Sequence, residues 1–284
     1  MRMSPCLLAL FGAVALAETT PTARPVYGWL APKAVTESLA SRISPPSGFA
    51  RETAASGSFA AWLRNIPLKK GRPAVQLYEG RPKSNQDAHV AVVDIDTGTR
   101  DLQQCADAVI RLRAEYLYSQ RQSAAIHFNF TSGEAARFAQ WADGYRPIVS
   151  GKQVKWEKRA EKNDSYASFR EYLNIVFAYA GTASLNQELK KVGAVRDLAA
   201  GDVLIEPGYP GHAVIVVDVA KDAKAGHRAF LLAQGYMPAQ DIHILKNPAG
   251  GPLGPWYDVD FGGTLKTPEW TFRAEHLRRF DEAR

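Results

Sequence analysis

The sequence predicts an α+β fold, an antiparallel sheet core with packed helices. Between Gly201 and Gln240 three apolar runs follow one another with only turn residues between them: Val203 to Glu206, His212 to Val219 and Phe230 to Gln234. Strands joined this closely pair antiparallel. Helical periodicity is strong in two stretches, Asp101 to Tyr118 and Asp164 or Ser165 to Tyr179. Strands and helices otherwise interleave irregularly, without regular βα alternation or a glycine phosphate loop, which sets aside a doubly wound sheet.

Taken in order, residues 18–48 are rich in Thr, Pro, Ala and Ser and end in Ser44-Pro45-Pro46-Ser47-Gly48, the composition of a flexible leader with one helical turn near Val35 to Arg42. A single α+β domain is expected over 49–284. Phe59, Trp62 and Leu63 keep i, i+3, i+4 spacing behind Ser58, a capped short helix that Pro67 closes. Val75 to Tyr78 and Val90 to Ile95 read as strands. In the helix from Asp101, Cys105 falls in the first or second turn, and Arg111, Arg113 and Glu115 read as surface charges with an i, i+4 pair.

Ile126 to Phe130 alternates, placing His127 and Asn129 on one face. A strand pair surrounds Ser150-Gly151. The helix to Tyr179 stops at Gly181, and a shorter one covers Leu185 to Val192. His212 opens the most apolar run of the chain and follows the turn Pro207-Gly208-Tyr209-Pro210-Gly211. Asp241 to Leu245 alternates again, and a loop-rich tail carries Trp256, Tyr257 and Trp270. His89, His227 and His276 lie in polar surroundings and read as solvent-facing.

Composition bounds the compartment. Arg2, the apolar run Leu7 to Leu16 and Ala15-Leu16-Ala17 form a secretion signal over residues 1–17. That run is too short for a transmembrane helix and no other comes close. The mature chain is therefore expected to be soluble and periplasmic or secreted. Cys6 leaves with the signal, so Cys105 remains as a single thiol that cannot form an intramolecular disulfide. The formal net charge is +6 over 284 residues, and its basic residues are dispersed apart from Lys69-Lys70 and Arg278-Arg279. A nucleic-acid surface needs a concentrated basic stripe, so no nucleic-acid partner is expected. The mild excess suits an anionic envelope polymer such as peptidoglycan. A metal site from Asp241, His243 and either His212 or His127 has no His-Glu-x-x-His or paired-cysteine motif behind it. Neither metal nor other cofactor is expected.

The segments SGFARETAASGSFAAWLRNIPLK, QQCADAVIRLRAEYLY, IHFNFTSG, PGHAVIVVDVA and FLLAQGYMPAQDIHILKNP resemble an uncharacterised bacterial family, domain-of-unknown-function family 4846. The resemblance covers nearly all of the mature chain. It implies an exported bacterial protein and brings no activity with it. A second resemblance covers residues about 164–240: AGTASL, VRDLAAGDVLIE, GHAVIVVDV and FLLAQ are similar in order and spacing to NlpC-type papain-like cell-wall peptidases. It implies a papain-like core around 164–245, with His212 as base and Gln234 near the group that orients it. The chain departs from that pattern at the nucleophile, because the matching helix begins Asp164-Ser165-Tyr166-Ala167-Ser168 and holds no cysteine.

Two readings follow. In one, the papain-like core without its usual nucleophile is an exported envelope protein that binds cell-wall or glycan ligands through exposed tail aromatics, Trp256, Tyr257 and Trp270, whose rings combine apolar area with a polar tip. In the other, the protein is a cysteine-dependent amidase or peptidase acting on peptidoglycan peptides. Cys105 supplies the thiol from a helix N-terminus, His212 is the base, Gln234 or Asp241 orients the imidazole, and His127 and Asn129 line the cleft.

Overall fold

The computed structural model describes residues 26–30 and 37–281. The predicted signal peptide lies outside the described residues. In chain order the elements are α1 (Leu39–Arg42), β1 (Phe49–Arg51), α2 (Phe59–Arg64), β2 (His89–Val92), α3 (Cys105–Ser119), β3 (His127–Asn129), β4 (Ala135–Arg137), α4 (Phe138–Ala142), β5 (Tyr145–Ser150), β6 (Gln153–Lys158), α5 (Tyr166–Tyr179) and α6 (Thr182–Glu188). They continue through β7 (Lys190–Lys191), β8 (Val203–Glu206), β9 (His212–Asp222), β10 (Arg228–Gln234), β11 (His243–Leu245), β12 (Tyr257–Asp258), β13 (Thr264–Lys266), β14 (Thr271–Arg273) and β15 (Leu277–Arg279).

The fold is α+β. Seven strands run in the order β2-β11-β10-β9-β8-β15-β7, with β1 on β9 and β12 on β10 completing a nine-stranded sheet whose pairs are all antiparallel. Strand β9 is its centre, and its run from Ala213 to Val217 is continuously apolar because both of its faces are covered. Ala213, Ile215 and Val217 face the core that holds α2, α3 and α5. Val214, Val216 and Val219 face a second core closed by the C-terminal segment through Tyr257, Leu265 and Phe272. A bulge between Leu231 and Leu232 shifts the β9–β10 register. Next to it Asp218 is buried and held by Arg51 Nε at 2.6 Å and Arg64 Nε at 2.8 Å, which ties β1 and α2 to the sheet.

Local signals set several elements as expected. Ser58 Oγ accepts from Ala61 N–H and Ser165 Oγ from Ser168 N–H, capping α2 and α5. Elsewhere the tertiary structure decided differently. Gly181 is the N-cap of α6, so the shorter helix spans Thr182–Glu188 rather than Leu185 to Val192. Val75 to Tyr78 makes only isolated bridges, Gln76 to Pro82 and Leu77 to Gln240. The described part of the leader is packed rather than loose: Tyr27 and Leu39 are buried, Tyr27 OH donates to Trp62 O at 3.0 Å, and Trp29 and Trp62 stack edge-on. Its aromatic side chains find partners that its composition does not announce.

The largest difference lies on α3. Arg111 and Glu115 are not surface charges but are buried with 0% and 1% exposure. The expected i, i+4 pair forms, Nε to Oε1 at 2.7 Å, and Arg111 also donates to Gln103 Oε1 at 2.8 Å, Asp96 Oδ1 at 2.9 Å and Asp96 O at 3.1 Å. Tyr166 OH of α5 donates to the same Glu115 oxygen at 2.7 Å. Burial opposes the charged guanidinium, but Glu115 and Asp96 outweigh it and hold Arg111 firmly protonated. One side chain therefore fastens α3 to α5 and to the segment after β2. Removing a partner from such a network leaves charges buried and unpaired. Arg111→Ala is expected to lower the unfolding free energy by about 3–5 kcal/mol in urea denaturation, whereas Arg273→Ala, which breaks an exposed pair with Glu275, should change it by less than about 1 kcal/mol.

Candidate functional site

At one end of β9 two glycines let backbones come unusually close. A Cβ on Gly235 would sit 2.9 Å from Gln104 O and 3.1 Å from Ala108 Cβ, so only glycine allows the first turn of α3 to rest on the end of β10. A Cβ on Gly211 would lie 2.5 Å from Thr182 Oγ1 and 2.6 Å from Gly208 O. The close packing brings Cys105, the first residue of α3, against the start of β9, where its Sγ lies 3.9 Å from Gly211 O, one residue before His212. The thiol is 8% exposed. Burial and the neighbouring Asp107 push its pKa up to about 11, although backbone N–H groups, that of Ala213 among them, favour the thiolate.

The pleat sends the next side chain to the opposite face. His212 shares its face with Val214 and Val216, beneath the β13–β14 hairpin, and its ring packs against Tyr236, Trp270 and Phe272 with centroids 4.8, 5.2 and 5.8 Å away. There it opens a buried polar row that crosses three strands. His212 Nε2 is 2.9 Å from Gln234 Oε1 on β10, and Gln234 Nε2 is 3.2 Å from His243 Nε2 on β11 and 2.8 Å from Glu269 Oε2. Lys83 Nζ donates to the same Glu269 oxygen at 2.5 Å, and Asn85 Nδ2 donates to the other at 3.3 Å.

The donors and acceptors of this row fix one another. The Asp241 carbonyl can only accept, so His243 Nδ1 carries the proton at 2.9 Å from it and His243 Nε2 is left as an acceptor. The Glu269 carboxylate also only accepts. Both of these acceptors require the NH₂ of Gln234, which turns its amide oxygen toward His212. His212 Nε2 must then be the donor, and its lone pair resides on Nδ1. Burial depresses His212 to about 4, against a smaller opposing effect of the Gln234 bond, and depresses His243 to about 3, aided by the nearby Lys83 charge. Both rings are neutral at pH 7.

Gln234 therefore bonds the His212 ring. Asp241 does not: its Oδ1 accepts from Lys69 Nζ at 2.9 Å and its Oδ2 from Gln76 N–H at 3.0 Å, so it clasps the β11 end to the preceding loops and reaches His212 through neither oxygen. His127 and Asn129 belong elsewhere. His127 Nε2 faces Glu188 Oε1 at 3.5 Å and Asn129 N–H donates to Glu188 Oε2 at 2.8 Å, beside Leu117, about 18 Å along α3 from Cys105 at 1.5 Å per residue. Trp256 and Tyr257 are not exposed. Trp256 is fully buried with Nε1 donating to Ser44 O at 2.9 Å, and Tyr257 stacks on Phe230 while its hydroxyl donates to Lys246 O at 2.8 Å. Tyr257 does form part of the wall of a cleft of about 770 Å³, with Phe49, Leu253, Phe261 and Leu265, at the opposite end of β9 and β10 from His212.

His89 and His276, read as solvent-facing, are also buried. Among the described residues no group of three His, Cys, Asp or Glu side chains could hold a metal ion. No helix there is long and apolar enough to cross a membrane. Sequence reasoning missed Glu269, Lys83 and Tyr236, because Glu269 lies 35 residues from Gln234 and 186 from Lys83, and nothing local marks such partners.

The protein is thus an α+β protein whose antiparallel sheet carries a buried His–Gln pair on one face and meets the Cys105 thiol of α3 on the other. It belongs to the family described as domain of unknown function (4846), whose model matches residues 39–279. Neither the curated proteins nor the solved structures contain a match.

The depressed histidines give a stability prediction. Below about pH 6.5 the unfolded chain protonates these rings, while the folded chain keeps His212 neutral down to about 4. Stability is therefore complete above 6.5 and falls as pH drops toward 4. For His212 alone the loss is about 3 kcal/mol at 1.36 kcal/mol per pKa unit. Urea denaturation at pH 7.5 and 4.5 should show it, and a His243→Gln variant should show a shallower acid decline than the wild type.

Proposed function

We propose that this chain is an exported envelope protein built on a papain-like core that lacks the usual nucleophile, and that it binds a cell-wall or glycan ligand. The observation that carries this reading is the cleft of about 770 Å³ walled by Phe49, Tyr257 and Phe261. The thiol of Cys105 meets β9 from the α3 face, whereas the His212 ring lies on the other face against Trp270 and Phe272, so the two are not arranged as nucleophile and base. The order Gly201-Asp202, His212, Gln234 supports the papain-like assignment.

Aromatic walls of this kind suit the faces of sugar rings. Purified sacculi should then retain Cys105→Ser as well as wild type and retain Phe261→Ser less. Equal retention of all three, or of none, removes this reading.

A further inference from the structure

The cleft of about 770 Å³ does not stand alone. Beside it lies a second cleft of about 400 Å³, and the two share His227 and Asp258 as a common wall. His227 sits in the turn between β9 and β10, where its carbonyl accepts from Asp222 N–H at 2.7 Å, and Asp258 lies on β12 opposite Ala229 of β10. Phe49, Tyr257 and Phe261 line the first cleft only, whereas Val195, Arg196 and Asp260 line the second only.

Two arginines line the second cleft, and they are used differently. Arg228 is spent inward. Its Nε and Nη2 pair with the Glu52 carboxylate at 2.5 and 2.9 Å, and its Nη1 and Nη2 donate to Arg196 O at 2.6 Å and Leu198 O at 2.7 Å. It thereby pins the backbone from which Arg196 projects. The Arg196 side chain itself is exposed, and among the described residues its guanidinium has no hydrogen-bond or ion-pair partner. The carboxylates of the common wall and its turn are held by backbone instead: Asp222 Oδ1 accepts from Lys224 N–H at 2.6 Å and Ala225 N–H at 3.2 Å, and Asp258 Oδ1 from Asp260 N–H at 2.8 Å. A guanidinium on a fixed backbone that no protein group engages is a planar double donor open to a carboxylate from outside.

We infer that the two clefts form one groove, that a glycan strand crosses the wall of His227 and Asp258 within it, and that Arg196 takes a carboxylate carried by that strand. This rests on the binding reading, and it narrows the ligand from a glycan to a carboxylate-bearing one. A cleft of about 300–1,000 Å³ encloses a drug-sized ligand, so two that share a wall suit a chain of sugars better than a single ring. The aromatic cleft takes the apolar face of one sugar, and the arginine fixes the register of the next along the chain.

The test uses the full-length protein with purified sacculi and with the same sacculi after carbodiimide and methylamine have converted their carboxylates to amides. The readout is the apparent Kd from a pull-down titration. Wild type should bind native sacculi about 3–5-fold more tightly than amidated ones, the range of an exposed ion pair. Arg196→Gln should bind both forms alike, at the wild-type level for amidated sacculi, and Arg196→Lys should recover part of the preference. Asp260→Asn, which removes a carboxylate from the same cleft, should tighten binding to native sacculi. Lys152→Gln, which removes one charge from the β5–β6 turn, should keep the wild-type preference. Glycan strands freed of their peptides separate two sources of the carboxylate: a preference kept on such strands places it on the sugar, and one lost places it on the peptide. Equal wild-type binding to native and amidated sacculi, or a preference that survives in Arg196→Gln, overturns the inference, and weakened binding of Phe261→Ser to both forms then leaves the binding reading standing. No binding of wild type to either form overturns both.

Discussion

The arrangement of the whole site depends on a buried guanidinium. Arg111 lies in the middle of a helix that is covered nearly all round, and its donors reach Glu115, Gln103 and Asp96, while Tyr166 of α5 shares the Glu115 oxygen. A buried cation of this kind is tolerated only when its partners are oriented, and orienting them fixes the rotation of α3 about its axis. With that rotation set, the first turn of α3 meets Gly235 and the start of β9. The thiol of Cys105 is delivered to Gly211 by a network that lies one to two helical turns away from it.

A second constraint operates on the far side of the sheet. Gln234 is a neutral amide, and by itself it could present either end to His212. It is the acceptor-only character of the Glu269 carboxylate and of the His243 Nε2 lone pair that chooses the oxygen. The choice propagates across β9 and β10 to the imidazole, whose Nδ1 keeps the lone pair. Lys83 neutralises Glu269 at the same time, so the row can be buried without an uncompensated charge. The thiol side of the site and the imidazole side therefore rest on separate supports, Arg111 for one and Glu269 for the other, which meet only at the end of β9.

How much of this was legible in the sequence differs from element to element. The three strands from Val203 to Gln234 and the helix from Ser165 were visible because their apolar period and caps are local. The pairing of His212 with Gln234 lies in no local pattern, because the two residues stand 22 apart and meet only across β9 and β10. Asp241 was misread because a carboxylate near a histidine strand looks like an orienting group whether or not a lysine, here Lys69, takes it first. Trp256 and Tyr257 were misread because a loop-rich tail looks exposed, and nothing in its composition tells that Ser44 and Phe230 cover it.

By itself the sequence determined what depends on neighbours within one turn or one strand: the α+β class, the antiparallel centre and the capped helices. Tertiary structure alone decided which polar groups are buried and what they face. Arg111, Glu115, Glu269, Lys83 and His243 are ordinary polar residues along the chain, and they acquire their roles from partners as far as 186 residues away. The physical reason is that desolvation and hydrogen-bond direction are properties of a packed neighbourhood, which the fold assembles and a local pattern does not contain.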